Sequence, residues 1–132
     1  MGEFVVADRT APNGRRGRAP RPEGFRVRHE LLQFRLDRKG TAETLYVSGE
    51  LDISSASALE HAAGQTLDGQ GGEFRLDLSG LTFMDSSGAL ALLRVHKRIE
   101  AIGRLLVVVH PTRSVRLVLE TLGLDHLISI QE

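Results

Sequence analysis

Apolar and polar residues alternate where the patterned part of the chain begins, from Phe25 onwards. Phe34 and Leu36 stand between polar neighbours, and this period of two is typical of a half-buried β-strand. A turn-like segment at 38–41 follows, and residues 44–49 again have the composition of a strand. Because the connection is so short, we predict that the two strands form an antiparallel hairpin.

A helix is predicted after this hairpin. It should start at Ser54 and Ser55, whose hydroxyls suit an N-cap, and reach about Leu67. Ser57 and Glu60 have the spacing of a capping box, which supports a helix start in this region.

Two more helices are predicted further along the chain. One runs from Ser86 to about Ala101 and ends at Gly103, and the other has Pro111 at its start and Gly123 at its C-terminal cap. The residues expected to face the core recur at helical spacing, namely Leu59, Ala63 and Thr66 in the first helix, Leu92, Val95 and Ile99 in the second, and Val115, Val118, Leu119 and Leu122 in the third.

Apolar runs between the helices predict further strands. Residues 74–78 form one, and residues 105–109 are continuously apolar, as expected of a central strand covered on both faces. Residues 126–130 are a candidate for a last short strand. The order is therefore strand, strand, helix, strand, helix, strand, helix, and strands joined through a helix pair in parallel. The predicted fold class is α/β, with a mixed, mostly parallel sheet that starts with an antiparallel hairpin.

The first 24 residues lack any such pattern. Residues 9–21 hold five arginines, no acidic residue and no large apolar residue, so burial cannot offset the entropy of ordering them. We predict a flexible arm over residues 1–24 and one domain over residues 25–132. A basic arm is able to touch nucleic acid or an acidic partner, but a solvated tail is the simpler interpretation because no aromatic residue lies among the arginines.

Charge and composition narrow the range of functions. The chain has 17 basic and 17 acidic residues, with the acidic ones in slight excess after residue 24, so we expect no direct binding of nucleic acid by the domain. Cysteine is absent, which excludes disulfides and thiolate chemistry. No apolar run approaches the length of a membrane span or a signal-peptide core, so we expect a cytoplasmic protein that does not contact a membrane.

The best candidate for chemistry is the segment 81–88, where Asp85, Ser86 and Ser87 stand at the predicted start of the second helix. Backbone N–H groups and the positive end of the helix dipole meet at such a point and can accommodate a phosphoryl group. Helix capping by Asp85 or Ser86 accounts for the same residue types, and from the residues alone it is the simpler explanation.

Other chemistry has little support in the sequence. The five histidines lack the spacing of a zinc site, and Ser86 does not lie in a GxSxG elbow. The glycines in 69–72 precede a strand, whereas a phosphate-binding loop follows one. We therefore expect no cofactor, no metal and no catalytic residue, and a protein that is not an enzyme.

Residues 77–88, Asp-Leu-Ser-Gly-Leu-Thr-Phe-Met-Asp-Ser-Ser-Gly, closely resemble the signature of STAS domains of the anti-sigma factor antagonist family. Residues 48–52, Ser-Gly-Glu-Leu-Asp, resemble that family's second motif, and 114–117 with 122–124 resemble its last helix. The motifs occur in the family's order and cover about residues 30 to 130. The resemblance implies a STAS fold, which agrees with the order of elements predicted from the residues.

The resemblance also implies a regulatory switch. Members of this family bind an anti-sigma factor that is also a serine/threonine kinase. Binding frees a sigma factor, phosphorylation ends the binding, and a serine phosphatase restores it. The phosphoacceptor is the first serine of the Asp-Ser-Ser-Gly motif, which is Ser86 here, with Ser87 as the alternative.

A partner-binding surface around that serine follows from the same resemblance, comprising Asp52, Asp85, Ser86, Ser87, Gly88 and Leu90. A turn or capping role is an equally good interpretation of Asp52, and burial against the neighbouring helix is the simpler one for Leu90. Within the same fold, the alternative function is a STAS scaffold subunit of a stress-signalling or lipid-transport complex. The intact acceptor motif favours the switch, because a permanent subunit does not need one.

Overall fold

The computed structural model describes residues 32–40, 42–67 and 72–132. The predicted arm over residues 1–24 and the predicted start of the domain at residue 25 lie outside the described residues. The elements in chain order are β1 (Gln33–Lys39), β2 (Ala42–Leu51), α1 (Ala56–Thr66), β3 (Glu73–Met84), α2 (Ser86–Ala101), β4 (Leu105–Val109), α3 (Arg113–Thr121), one 3-10 turn (Leu124–His126) and β5 (Ser129–Gln131).

Within these ranges the strands form one five-stranded sheet in the order β1-β2-β3-β4-β5. β1 and β2 pair antiparallel, and each later pair is parallel. The predicted hairpin and the mixed, mostly parallel sheet are confirmed. The apolar run 105–109 forms β4, an interior strand between β3 and β5, and Val107 to Val109 are no more than 2% exposed, as predicted for a central strand.

One face of the sheet carries the main core. We call it the helix face, and its strand residues are Phe34, Leu36, Leu45, Val47, Phe74, Leu76, Leu106 and Val108. The three predicted helical stripes pack into the same cluster, with Leu59, Leu92 and Leu119 fully buried. Leu122 departs from its predicted stripe and is 47% exposed, because the third helix ends at Thr121 and Leu122 is already its C-cap.

The third strand is longer than the predicted 74–78 and continues through Ser79 and Gly80 to Met84. Two register shifts against β2 mark an irregular strand at this extension. A Cβ on Gly80 would lie 2.8 Å from the Cβ of Ser48, so the close approach of the two strands requires glycine. In the sequence, the pair Ser79-Gly80 has the composition of a turn. In the structure, the pair lies within β3, which continues to Met84.

The predicted start of the first helix is confirmed at Ser55, whereas its predicted capping box and the predicted start of the third helix at Pro111 were wrong. The N-cap of α1 is Ser55, whose side chain makes no capping hydrogen bond, and Ser57 already lies inside the helix, so there is no Ser57–Glu60 capping box. The N-cap of α3 is Thr112, whose hydroxyl accepts from the Val115 N–H at 3.4 Å, and Pro111 lies before it. Gly123 follows the end of α3 with φ 75°, the left-handed conformation expected of a C-terminal glycine.

Candidate functional site

The candidate residues lie at the C-terminal ends of β2 and β3. There β2 passes into the loop 52–55, and β3 passes at Asp85 into α2. The Asp85 N–H donates to the Leu51 carbonyl at 3.3 Å, which ties the two junctions together. The two motifs that are separated in the sequence, around Asp52 and around Ser86, are therefore neighbours in the fold.

Asp85 is the N-cap of α2. Its backbone is extended, with φ −112° and ψ −170°, and its carboxylate accepts from the Gly88 N–H at 3.0 Å. Its carbonyl accepts from the Ala89 N–H at 3.0 Å, as the first bond of the helix. The capping interpretation thus holds for Asp85, whose carboxylate satisfies one of the otherwise unpaired amides of the first turn.

Gly88 is buried where the first turn of α2 contacts the end of β2. A Cβ at this position would lie 2.6 Å from the Leu51 carbonyl oxygen, 2.7 Å from Leu51 Cγ and 2.9 Å from Met84 Cγ. The predicted site residue Gly88 therefore has a packing role. It lets the helix start sit directly on the strand ends.

Ser86 and Ser87 are the first two residues of α2. Ser86 is exposed and Ser87 is half-buried. Neither hydroxyl makes a hydrogen bond to another of the described residues, in contrast to the engaged carboxylate of Asp85. At Ser86 a nucleophilic oxygen is thus presented to solvent, beside backbone amides at the positive end of a helix of 16 residues.

Asp52 lies in the loop next to this helix start, and its side chain makes hydrogen bonds within that loop. Its residue exposure is 7%, and Oδ1 accepts from the Ser54 N–H at 2.9 Å and from the Ser54 hydroxyl at 2.7 Å. The fully buried Ser55 hydroxyl donates to the Glu50 carbonyl at 2.9 Å and accepts from the Asp52 N–H at 3.0 Å. These contacts assign Asp52 a turn-forming role, and its contact with a partner stays a prediction.

A protein-family model described as "Mlab, STAS domain" matches residues 34–129, which is most of the chain. The chain belongs to the STAS domain family. The resemblance seen in the sequence is confirmed at this level, and the five-stranded mixed sheet with three helices matches the STAS fold.

Solved structures of other proteins share this STAS fold. An anti-sigma factor antagonist from Mycobacterium paratuberculosis superposes with a TM-score of 0.68 at 24% identity, covering 76% of this chain and 85% of its own. The anti-sigma factor antagonist SpoIIAA in its unphosphorylated form gives 0.61 at 22% identity, with 74% and 86% covered. A sulfate transporter family protein from Wolinella succinogenes gives 0.61 at 16% identity, with 70% and 78% covered. No curated protein matches the sequence.

Three large apolar side chains are exposed on the segments of the STAS domain that meet at the start of α2. They are Ile53 at 79%, Phe83 at 45% and Leu90 at 46%, and we call them the apolar rim. Ile53 follows Asp52, Phe83 pairs with Glu50 at the end of β3, and Leu90 lies one helical turn beyond Ser86. Of the two leucines off the inward stripe of α2, Leu90 is thus exposed, whereas Leu93 is half-buried against the core.

Sequence reasoning did not identify Ile53 and Phe83. Phe83 lies in the part of β3 that was not predicted as strand, so its outward direction opposite the buried Met84 was hidden. Ile53 could have been noticed in the sequence, because a large aliphatic residue between Asp52 and Ser54 in a polar turn does not belong to any predicted apolar stripe.

The described residues were also compared with the requirements of a metal site and of a membrane-spanning helix. Among residues 32–40, 42–67 and 72–132, no group of three or more histidine, aspartate or glutamate side chains is placed to hold a metal ion. No helix in the same ranges is long and apolar enough to cross a membrane.

Proposed function

We propose that this STAS domain is an anti-sigma factor antagonist that is switched off by phosphorylation of Ser86. When unphosphorylated, it binds an anti-sigma factor that is also a serine/threonine kinase, and so frees a sigma factor. The observation that carries the proposal is the unengaged, exposed hydroxyl of Ser86 at the start of α2, where the segments that bear the apolar rim meet. Exposed apolar residues grouped around one polar group are typical of a protein–protein contact surface.

Ser86 is the better acceptor of the two serines because it is exposed and Ser87 is half-buried. A kinase must bring its nucleotide close to the accepting oxygen, which favours the side chain that solvent already reaches. Asp85 caps the helix, so Ser86 is left without a structural task among the described residues.

Phosphorylation at this position should oppose binding of the partner without destabilising the free domain. The phosphoryl group brings about −1.5 to −2 charge at neutral pH. Within the free domain, the amides of the first helical turn favour that charge. A partner that closes over the apolar rim has to desolvate it beside Asp85, which opposes binding. A serine phosphatase then restores the binding form.

The domain acts in this proposal by association, in the cytoplasm and without catalysis of its own. Its relation to other proteins of the same fold supports this role, since anti-sigma factor antagonists share the architecture. Transport proteins share it too, and a scaffold subunit of a stress-signalling or lipid-transport complex is the second candidate. That role needs the apolar rim and does not need a phosphoacceptor.

The test is capture of partners from the native cell extract with the wild-type protein, Ser86→Ala and Ser87→Ala, followed by mass spectrometry and labelling with ATP. We expect all three to bind a kinase of the anti-sigma type, and we expect label on the wild type and on Ser87→Ala only. Full labelling of Ser86→Ala would assign the acceptor role elsewhere. Capture of a stable transport or stress complex, equal for all three proteins and without label, would favour the scaffold role.

A further inference from the structure

The outward side of α2 changes from apolar to basic along its length. Ser86, Leu90, Arg94 and Lys97 follow one another at spacings of three to four residues, so they project from the same side of the helix. Arg98 lies beside them, and all five residues are exposed. We call Arg94, Lys97 and Arg98 the basic strip. It begins one helical turn beyond Leu90 and therefore continues the surface that carries the apolar rim.

The two arginines of the basic strip are held against α1. The Arg94 guanidinium lies 3.2 Å from a carboxylate oxygen of Glu60, and Arg98 Nη1 donates to the Glu60 carbonyl at 3.3 Å. Gly64 leaves room for this arrangement, since a Cβ there would lie 2.8 Å from Arg98 Nη2. Cations that are already ordered lose less side-chain entropy when a partner binds.

One of the three cations is paired with a carboxylate. That pair is Arg94 with Glu60. Glu100 is the only acidic residue of α2, and its carboxylate lies 3.8 Å from a ring nitrogen of His96. Lys97 and Arg98 make no ion pair with another of the described residues. Two cations of the strip are thus available to carboxylates of a partner.

A protein that closes over Ser86 is large enough to reach the basic strip. A contact of standard size covers about 800 Å² on each partner, which is a patch of roughly 16 Å in radius. Lys97 follows Ser86 by eleven positions in the same helix, or roughly 16 Å along its axis. A contact centred on Ser86 therefore includes the apolar rim and has the basic strip at its margin.

We propose that the basic strip contacts an acidic surface of the protein that binds over Ser86. This inference rests on the proposed function and adds the chemistry of the partner at the same site. Opposite charges at the margin of the contact speed association. The same acidic surface repels a phosphoryl group on Ser86, so one electrostatic property of the partner favours binding before phosphorylation and release after it.

Nucleic acid fits the basic strip less well than an acidic protein. Strong binding of DNA through charge uses on the order of six to ten phosphate contacts, and the strip supplies three cations. Its neighbour towards Ser86 is the exposed, apolar Leu90. Apolar side chains with charges at the margin are typical of a contact between proteins.

The two lysines of the chain provide a direct test, because one lies in the strip and the other lies far from it. Lys39 pairs with Ala42 at the start of β2, at the end of the sheet opposite to Ser86. A water-soluble carbodiimide joins a lysine amine to a carboxylate in direct contact. An amide forms, and the carbodiimide takes up the lost water as a urea.

The reagent is applied to the complex of the full-length, unphosphorylated protein with the kinase captured from the cell extract. We expect cross-linked peptides that join Lys97 to an aspartate or glutamate of the kinase, and none that contain Lys39. Mass spectrometry of the digested complex identifies both partners of each cross-link.

Charge reversal gives a second test. Lys97→Glu and the matched control Lys39→Glu change the net charge equally, so a difference between them reports the position of the lysine. At about 50 mM salt we expect Lys97→Glu to lower the association rate constant about tenfold, and Lys39→Glu to change it less than about twofold. The rate for Lys97→Glu should also depend less on salt. Thermal unfolding checks that both variants are folded.

Equal association rates for the two variants, or cross-links through Lys39 in place of Lys97, would overturn the inference. The proposed function would still stand if the kinase binds and labels Ser86. If the wild type captures no kinase, the proposed function fails and the inference fails with it. Binding of a DNA duplex that Lys97→Glu weakens more than it weakens binding of the kinase would assign the strip to nucleic acid and contradict the inference.

Discussion

At the residue scale, Gly88 holds the start of α2 against the end of β2. The nearest obstacle to a side chain is the Leu51 carbonyl oxygen at 2.6 Å, a backbone atom that cannot turn away as a flexible side chain would. We predict that Gly88→Ala lowers the free energy of unfolding by about 1–3 kcal/mol through overpacking. Urea denaturation measures this loss.

Gly72→Ala is the matched control, because a Cβ there meets nothing within 4 Å. It should stay within about 0.5 kcal/mol of the wild type. If both variants have the stability of the wild type, the close contact at Gly88 does not constrain the helix start. In that case, partner binding need not depend on this glycine either.

Ser86, the proposed acceptor, and its neighbour Asp85 show which part of the candidate site was predictable. From the residues alone, Asp85 and Ser86 were equivalent as helix caps, since both types accept from the first amides of a helix. In the fold, Asp85 is the cap, and the Ser86 hydroxyl makes no hydrogen bond to another of the described residues. Ser86→Ala thus removes no N-cap and should be tolerated. The apolar rim could not be predicted, because whether Ile53 or Phe83 is exposed depends on strand length and loop path.

At the element scale, the local patterns predicted the three helices and the starts of α1 and α2, but not the start of α3 or the extent of β3. The predicted inward stripe of α2 is confirmed, because residues at helical spacing face one side of any regular helix. The predicted extent of β3 was wrong, because its continuation past Gly80 involves close contact with Ser48, which is 32 positions away in the sequence. Register shifts of this kind are set between strands, so no single segment carries their signal.

The loop 52–55 between β2 and α1 is fastened by its own side chains. The Ser55 hydroxyl is fully buried and bridges the Glu50 carbonyl and the Asp52 N–H. We predict that Ser55→Ala costs about 1–3 kcal/mol of stability, because it leaves buried polar groups without their partner. Thermal unfolding would measure the loss.

Ser54→Ala is the comparison for that variant, since Ser54 is exposed and solvent can replace its hydroxyl. Its cost should stay below about 1 kcal/mol. The opposite ranking of the two serines would mean that the Asp52–Ser54 turn, rather than the Ser55 bridge, holds the loop.

At the scale of the whole molecule, a cluster of three charged residues, Glu43, Arg104 and Arg38, lies far from the candidate site. Glu43, near the start of β2, pairs with the buried Arg104 at 2.9 Å and with the half-exposed Arg38 at 2.6 Å. Ser86 follows the other end of the neighbouring parallel strand. The length of β2 separates the two regions by roughly 25 Å.

We predict that Glu43→Gln destabilises the domain by about 3 kcal/mol, because it removes the carboxylate that compensates the charge of Arg104, whose side chain is 1% exposed. Glu60→Gln breaks the more exposed pair with Arg94 and should cost no more than about 1 kcal/mol. Chemical denaturation compares the two. While folded, both should be labelled at Ser86 at the wild-type rate, and a selective loss of labelling in Glu43→Gln would mean that the distant ends are coupled.

Phosphorylation of Ser86 should strongly weaken partner binding without rearranging the domain. The new charge lies at the N-terminus of α2, where the helix dipole favours it. We therefore expect the free protein to keep its conformation. Against a partner carboxylate about 6 Å away, at an effective dielectric near 20, repulsion costs roughly 3 kcal/mol per unit charge. That single interaction weakens binding by about a hundredfold, since each 1.4 kcal/mol is a factor of ten.

Amide chemical shifts of the phosphorylated and unphosphorylated protein distinguish a local effect from a global one. We expect changes confined to residues around 49–54 and 82–92, because the Asp85–Leu51 hydrogen bond joins these segments and the strand ends anchor them. One path leads further, since the Thr112 hydroxyl donates to the Leu81 carbonyl at 3.2 Å and so connects the start of α3 to β3. If shifts spread through residues 105–122, the phosphoryl group acts along that path. The loss of binding would then come from a conformational change rather than from local charge.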